Sequence, residues 1–254
     1  MHPGEQSLMS SAVSEQDKYK KTLVIIPTYN ERGNIQRLIP EILNLDEQIH
    51  ILVVDDGSPD DTAGAVSGLM DSFSGRVFLS RRPGKIGLGS AYVHGFLRGL
   101  DEGYGFLVQM DADWSHNPRY LPEMIRLADE ADFVVGSRYV AGGGTLNWGL
   151  WRRLLSRFGN FYARAVLGVK IADFTGGFNG WSAEVLRGVC VQSLRSNGYS
   201  FQIELKYRAR RRGFRCREFP IVFDERRSGK SKMSCAIALE AFWRVWEIRL
   251  KKRT

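Results

Sequence analysis

The sequence predicts an α/β fold in which a mostly parallel sheet carries helices on both faces. Short continuous apolar runs of strand length alternate with segments whose apolar residues recur at helical spacing. The early runs stop abruptly in polar loops, and those loops fall where such sheets bind ligands, beyond the carboxyl ends of their strands.

The first run, Thr22 to Ile26, is stopped by Pro27, and Ile35, Leu38, Ile39 and Ile42 then follow with a helix period. Ile49 to Val54 repeats the pattern and ends in Asp55-Asp56-Gly57-Ser58-Pro59, after which Asp60 or Asp61 can cap a helix running to about Ser72. Arg76 to Leu79 reads as a shorter third strand. The Gly-rich loop RRPGKIGLGS leads into a helix through Tyr92, Phe96 and Leu100, and Phe106 to Met110 is the fourth strand. Asp132 to Gly136 is the fifth, leading to Ser137-Arg138-Tyr139 and the flexible AGGGT. Trp151, Leu154, Leu155, Phe158, Tyr162, Ala165 and Val166 fall at helical spacing, with Arg153, Arg157, Asn160 and Arg164 on another face. That pattern predicts one amphipathic helix with an arginine stripe, solvated or facing lipid headgroups. A mixed region follows ADFTGGFNGWS, and Cys216 to Phe223 reads as an edge strand. Lys232 to Arg253 has a wide apolar face and a narrow polar stripe of Glu240, Arg244, Glu247 and Lys251. It fits a membrane-surface helix and a core helix equally, since both show the same period.

With 254 residues, 43% hydrophobic and 25% charged, the chain has the composition for one sizeable core. A single catalytic domain is expected over residues 21–232, preceded by a disordered lead at 1–20 and followed by a basic amphipathic helix at 233–254. Cysteines at 190, 216 and 235 are too far apart for a metal knuckle and odd in number, which fits a reducing cytosol. The net charge of +8, concentrated after residue 138, points to phosphates, nucleic acid or a membrane surface as partner. PTYNERGN lacks G-x-G-x-x-G, and RRPGKIG lacks the spacing and hydroxyl of a P-loop, so dinucleotide dehydrogenases and P-loop kinases are disfavoured.

The chemistry concentrates where the fourth strand ends in Asp111 and Asp113. Residues i and i+2 of a strand share a face, and a turn would also keep them close, so both carboxylates can converge on one cation. Hard oxygen ligands of this kind suit Mg²⁺ or Mn²⁺, and neither His116 nor a cysteine stands at zinc spacing. The alternative is a polar turn in which one aspartate caps the helix beginning near Pro118.

PTYNE (Pro27 to Glu31), VVDDGSPDDT (Val53 to Thr62), KIGLGSA (Lys85 to Ala91), DADWSH (Asp111 to His116), VGSRY (Val135 to Tyr139), DFTGGF (Asp173 to Phe178) and ERRSGKSK (Glu225 to Lys232) stand in order. Together they resemble the dolichyl-phosphate (polyprenyl-phosphate) mannosyltransferases, inverting GT-A glycosyltransferases, over about residues 22 to 235. Seven motifs in register are far more specific than a lone DxD. The resemblance implies a GT-A (Rossmann-like) sheet, and transfer of mannose from GDP-mannose to a polyprenyl (dolichyl) phosphate at the cytosolic face of a membrane. It implies Mg²⁺ or Mn²⁺ at Asp111, Asp113 and Ser115, and a peripheral domain without transmembrane helices, alone or held by a small membrane-anchoring subunit.

By the same resemblance Pro27, Tyr29 and Glu31 line the nucleoside pocket, Asp55 or Asp56 accepts from ribose hydroxyls, and Lys85 binds donor phosphate. Asp111, Ala112, Asp113, Arg226 and Lys232 complete the donor site. Asp56 and Asp60 also read as solvated turn residues. Arg138, Arg152 and Ser156 match positions that hold the acceptor phosphate, which is already an anion near neutral pH and needs aiming more than deprotonating. Asp173 matches an acid near the reaction centre, for sugar positioning or proton acceptance, although beside an anionic acceptor it must be protonated or paired. Asp111, Asp113, Arg138, Asp173 and Arg226 form the expected catalytic set, while His94 and His116 read as structural. DFTGGFNG departs from the family pattern, with Gly176 or Gly177 replacing a serine and Asn179 an arginine. Rival readings are a related enzyme using UDP-glucose or another sugar nucleotide, and a silent sugar-nucleotide-binding subunit. No nucleic-acid motif is present.

Overall fold

The computed structural model describes residues 21–194, 196, 198–224 and 235–250, with the backbone alone at 199 and 235–242. The N-terminal half alternates β1 (Thr22–Thr28), α1 (Arg32–Leu43), β2 (Ile49–Asp55), α2 (Thr62–Ser72), β3 (Val77–Arg81), α3 (Leu88–Asp101) and β4 (Phe106–Gln109). Then come α4 (Leu121–Leu127), β5 (Phe133–Ser137), β6 (Gly144–Thr145), α5 (Leu150–Leu167), β7 (Asn179–Ser182) and α6 (Ala183–Gly188). The chain continues through α7 (Gly198–Arg211), β8 (Cys216–Pro220), β9 (Val222–Phe223) and α8 (Cys235–Leu250).

Seven strands form one sheet in the order β3-β2-β1-β4-β7-β5-β8, and β6 pairs with β9 in a separate two-stranded sheet. All pairings in the large sheet are parallel except those of β7, which runs antiparallel to both β4 and β5. Along β1, Leu23 and Ile25 enter one core with α3, α5, α7 and α8, while Val24 and Ile26 enter the other with α1, α2 and α4. A sheet buried on both faces explains why its strands read as unbroken apolar runs. β7 escaped sequence reading because NGWS has neither β-branched density nor alternation. Its centre is held instead by Asn179 and Trp181, whose side-chain N–H groups both donate to buried Gln109 Oε1 at 3.1 and 2.9 Å.

The arginine-striped segment is α5, with its faces turned opposite to a core helix. Ser156, Asn160, Ala163 and Leu167 are buried, whereas Leu150, Trp151, Leu154, Phe158 and Phe161 are 50–76% exposed. Asn160, expected beside the arginines, is an inward residue. The C-terminal helix packs as a core helix on one side, with Val245 and Ile248 buried, while Trp243, Trp246 and Leu250 are exposed.

Two glycines set how closely α3 lies on the sheet. A Cβ at Gly95 would fall 2.5 Å from Ile25 Cγ2, and one at Gly99 would fall 2.5 Å from Leu107 Cδ2. Around Gly68 in α2, by contrast, nothing lies within 4 Å. Gly95→Val is therefore expected to overpack the core and cost about 1–3 kcal/mol. Gly68→Ala should gain about 0.5–1 kcal/mol from helix propensity. Thermal unfolding should place the variants on opposite sides of the parent, and equal melting temperatures would contradict this account of the α3 contact.

Candidate active site

β1 has β2 on one side and β4 on the other, and the chain winds outward from β1 through β2 to β3 before returning to β4. The crevice beyond the carboxyl ends of β1 and β4 is thus a topological switch point. On its β2 side, Thr28 Oγ1 donates to Asp55 Oδ1 at 2.9 Å. Asp55 also accepts from Ser58, hydroxyl to Oδ1 at 2.5 Å and backbone N–H to Oδ2 at 3.1 Å. Asp60 accepts at Oδ1 from the Thr62 backbone and hydroxyl and at Oδ2 from the Arg32 N–H, so it tethers the start of α2 to that of α1. Glu31 is held in place by Asn34 Nδ2, which donates to Oε2 at 2.7 Å, and Pro27 is the one half-buried residue of β1. Lys85 Nζ lies 4.4 Å from the centre of the Tyr29 ring, so the PTYNE and RRPGKIG loops meet at the two residues expected to hold the donor.

Asp56 is not a solvated turn residue. It is buried and paired with Arg82, whose Nε is 2.6 Å from Oδ1, while Arg82 Nη1 donates to Ser90 at 2.7 Å and Nη2 to the Gly87 carbonyl. Its carboxylate anchors the Gly-rich loop, and a buried charge with a cation in place explains why it can leave water. Gly87 permits the loop's entry to α3 at φ 119°, a conformation that L side chains resist.

At the centre, β4 stops at Gln109 and a turn, not a continued strand, carries the two carboxylates. Trp114 takes a left-handed φ of 65° in that turn. Asp111 Oδ1 accepts from the Tyr92 hydroxyl at 3.0 Å, and Asp113 Oδ1 accepts from the Ser115 hydroxyl at 2.6 Å and its N–H at 3.1 Å. Burial, followed by the charge and hydrogen bond of Asp111 and the charge of Asp113, pushes the Tyr92 hydroxyl well above its ordinary range. Tyr92 thus remains a donor, and both carboxylates act on it. The oxygen-only set of Asp111, Asp113 and Ser115 fits a hard cation that completes its shell from water and substrate phosphate. Among the described residues no cluster of three or more His, Cys, Asp or Glu offers a closed metal cage. Ala112 is buried between the two acids, and a cavity of about 190 Å³ opens beside Trp114, Ser115 and Asp224.

His116 is structural, as expected, but as an acceptor: its Nδ1 receives the Asp111 backbone N–H at 3.0 Å. Its ring stacks on Phe178 at 5.1 Å and meets Phe223 edge-on at 5.6 Å. Phe223 in turn touches Trp148, and the Arg138 guanidinium lies 5.6 Å from the Phe223 ring and 5.4 Å from the Trp148 ring. Arg152 sits 4.0 Å over Trp148. This aromatic wall connects the Asp111 turn to the arginine side of the site. His94, the other structural histidine, bonds Ser80 at 2.7 Å.

Arg138 does not present an open fork. Its Nε and Nη2 bond the two oxygens of fully buried Asp173, each at 2.7 Å, and its N–H adds a third bond at 3.0 Å. Nη2 also donates to Thr175. The condition set by the sequence, that Asp173 be protonated or paired, is met by pairing. Burial alone would raise the Asp173 carboxyl, but the charge and hydrogen bonds of Arg138, with the charge of Lys206, hold it at about 2. Ser156 is buried and receives the Tyr139 hydroxyl at 2.6 Å. Arg226 and Lys232 lie outside the described residues.

Three residues given no site role from the sequence hold the DFTGG loop. Asn160 Oδ1 accepts the Phe174 and Thr175 N–H groups at 2.7 and 3.2 Å, and Glu218 accepts those of Ala172 and Asp173 at 2.6 and 3.0 Å. Lys206, fully buried, donates to the carbonyls of Asp173 and Gly176, each at 2.8 Å, and burial pulls its pKa down to about 8 against the charges of Asp173 and Glu218. A polar residue on a helix otherwise rich in charge gives no sequence signal of such a role; only the loop's unpaired backbone groups demand it. Asn179, which replaces an expected arginine, is internal, and Nδ2 donates to Gln109, Gly176 and Gln202.

The sequence model of glycosyl transferase family 2 matches residues 23–190. A polyprenol monophosphomannose synthase of Mycolicibacterium smegmatis is 47% identical over 91% of this chain and 88% of its own length. An undecaprenyl-phosphate mannosyltransferase of Micrococcus luteus is 41% identical over 87% of this chain and 90% of its own. Among solved structures, glucosyl-3-phosphoglycerate synthase of Mycobacterium tuberculosis, in complex with Mn²⁺ and UDP-glucose, shares the fold with a TM-score of 0.68 at 18% identity, over 92% of this chain and 80% of that one. The crevice at the switch point and the DxD turn agree with a family match spanning most of the chain: the protein belongs to glycosyl transferase family 2.

Proposed function

We propose that this protein transfers mannose from GDP-mannose to the phosphate of a polyprenol at the cytosolic face of a membrane. The observation that carries the reading is the turn holding Asp111 and Asp113 at the switch point, in a chain that matches two polyprenyl-phosphate mannosyltransferases over nearly its whole length. In an inverting displacement, an oxygen of the lipid phosphate attacks the anomeric carbon as the bond to the GDP diphosphate breaks on the opposite face. The nucleophile is already ionised, so the site needs no strong base. Asp111 and Asp113, with Ser115, would hold Mg²⁺ or Mn²⁺, which supplies Lewis-acid stabilisation of the departing diphosphate. Tyr29 and Lys85 would cover the nucleotide, with Lys85 moving from the ring to phosphate when donor enters. Asp55 is aimed by Thr28 and Ser58 to receive ribose hydroxyls. Arg138 becomes a positioning residue, locked by Asp173, and the phosphate contact falls to Arg152 and Ser156.

The lipid requires a membrane face. No helix among the described residues is long and apolar enough to cross a bilayer. The exposed Trp151, Leu154, Phe158 and Phe161 of α5, beside Arg153, Arg157 and Arg164, suit the headgroup region of a bilayer, with Trp243 and Trp246 of the packed α8 extending the same chemistry.

Radiolabelled GDP-mannose incubated with polyprenyl phosphate should yield a mannosylated lipid, and EDTA should abolish it. UDP-glucose in its place should yield little product, and preference for UDP-glucose would overturn the donor assignment. Asp113→Asn should lower transfer by orders of magnitude while leaving the melting temperature near that of the parent. Lys85→Ala should weaken donor binding about tenfold or more, the worth of one charge-assisted hydrogen bond, as read by GDP titration. Loss of lipid response with donor affinity intact would move Lys85 to the acceptor side.

The Arg138–Asp173 pair makes a pH prediction. Asp173 is held at about 2 against an ordinary 3.8, so the folded state binds this proton less readily than the unfolded state. Its stabilisation is fully present above 3.8 and is lost as pH falls toward 2. Arg138→Lys keeps the charge but loses the fork, and should lower stability by about 1–3 kcal/mol at neutral pH. It should also flatten the fall in stability between pH 4 and 2, about two units set by the same pairing. Parallel acid limbs in urea titrations of the two proteins would refute the pairing as the source.

A further inference from the structure

A second concave site lies outside the donor crevice, between the loop after β5 and the outer flank of α5. It measures about 570 Å³, and its lining includes Arg138, Arg157, Phe161 and Arg164 but no carboxylate. Arg157 and Arg164 stand seven residues apart on one helix flank, two turns or about 10 Å along the axis, with Phe161 between them. Neither guanidinium has a hydrogen bond or ion pair among the described residues. Two acids of the adjoining DFTGG region are already engaged: Asp173 by Arg138, and Glu218 by the backbone N–H groups of Ala172 and Asp173. On the opposite wall Gly142 takes a φ of +85°, and a Cβ at Gly143 would lie 2.6 Å from the Ser137 carbonyl, so the loop packs tightly there.

An unneutralised pair of planar cations in a hollow calls for an anion, and arginine forks match phosphate oxygens better than point charges do. The chemistry at the rim says what the phosphate is attached to. Phe161 is 61% exposed and continues along α5 into Phe158, Leu154 and Trp151, a path of apolar surface leading away from the two arginines. We propose that this cavity binds the phosphate of a lipid, its hydrocarbon following the exposed face of α5, at a site separate from the Asp111 turn. The inference rests on the reading of this protein as one that works at a lipid surface. Two lipids carry that chemistry, a bilayer phospholipid and the polyprenyl phosphate itself waiting beside the site of transfer.

The test is flotation of Arg157→Gln/Arg164→Gln with phosphatidylcholine vesicles doped either with phosphatidylglycerol or with undecaprenyl phosphate. A second double variant, Arg153→Gln/Arg211→Gln, removes the same charge away from the cavity. All four positions are exposed, and melting temperatures verify that each variant is folded. The cavity variant should bind doped vesicles about tenfold more weakly, and more weakly than the control variant. Loss confined to phosphatidylglycerol vesicles identifies a phospholipid, loss confined to undecaprenyl phosphate identifies the acceptor, and loss on both identifies a general lipid-phosphate site. Equal losses in the two variants, or none in either, would overturn the proposal. Hydrolysis of GDP-mannose by water should be unchanged in the cavity variant. If the parent protein neither hydrolyses nor transfers from GDP-mannose, the proposed function fails while flotation still decides the cavity.

Discussion

The site depends on one buried ion pair. Asp173 receives bonds from Arg138 Nε, Nη2 and N–H and from the Gly176 N–H, so both oxygens of a carboxylate with no solvent access are satisfied. Taking two charges out of water costs several kcal/mol each, and only this density of bonds offsets it. The return is positional. Arg138 directly follows β5 and Asp173 precedes β7, so the pair fastens the loop before the antiparallel strand to the end of the parallel strand beside it. Glu218, Asn160 and Lys206 then take up the loop's remaining backbone groups, from β8, α5 and α7 respectively. Four elements converge on one turn of chain. The aromatic wall of His116, Phe223 and Trp148 connects that anchored loop to the Asp111 turn.

Much of the fold was legible because a parallel sheet buried on both faces writes itself as continuous apolar runs. The runs TLVII and ILVV need only length and a stop signal to be read. The DxD pair and the PTYNE and RRPGKIG loops were legible as motifs, since each motif is local in sequence. What escaped was non-local. Arg82 pairs with Asp56 across 26 positions and Arg138 with Asp173 across 35, and nothing in either residue's surroundings names its partner. β7 escaped for a related reason: its pairing rests on Gln109, contributed by another strand, rather than on its own propensity.

Periodicity also left the sense of α5 undetermined. An amphipathic pattern states that two faces differ, and the inward one is normally the apolar one. Here the inward face must serve polar loops, so Ser156 and Asn160 point in and the large side chains point out. The resulting apolar surface agrees with the lipid chemistry proposed for the acceptor.

The place of β7 has a consequence for how the chain is made. β4 and β5 are consecutive parallel strands, yet they do not touch, because β7 lies between them. On a ribosome, β1 to β4 can assemble as a growing sheet in the order of synthesis. β5 emerges next and has no edge to join until β7 follows, 42 positions after Ser137. At about 5–20 residues per second the wait is several seconds, during which the apolar β5 is exposed. β7 thus joins the two parts of the sheet through its middle, and β8 adds the edge afterwards.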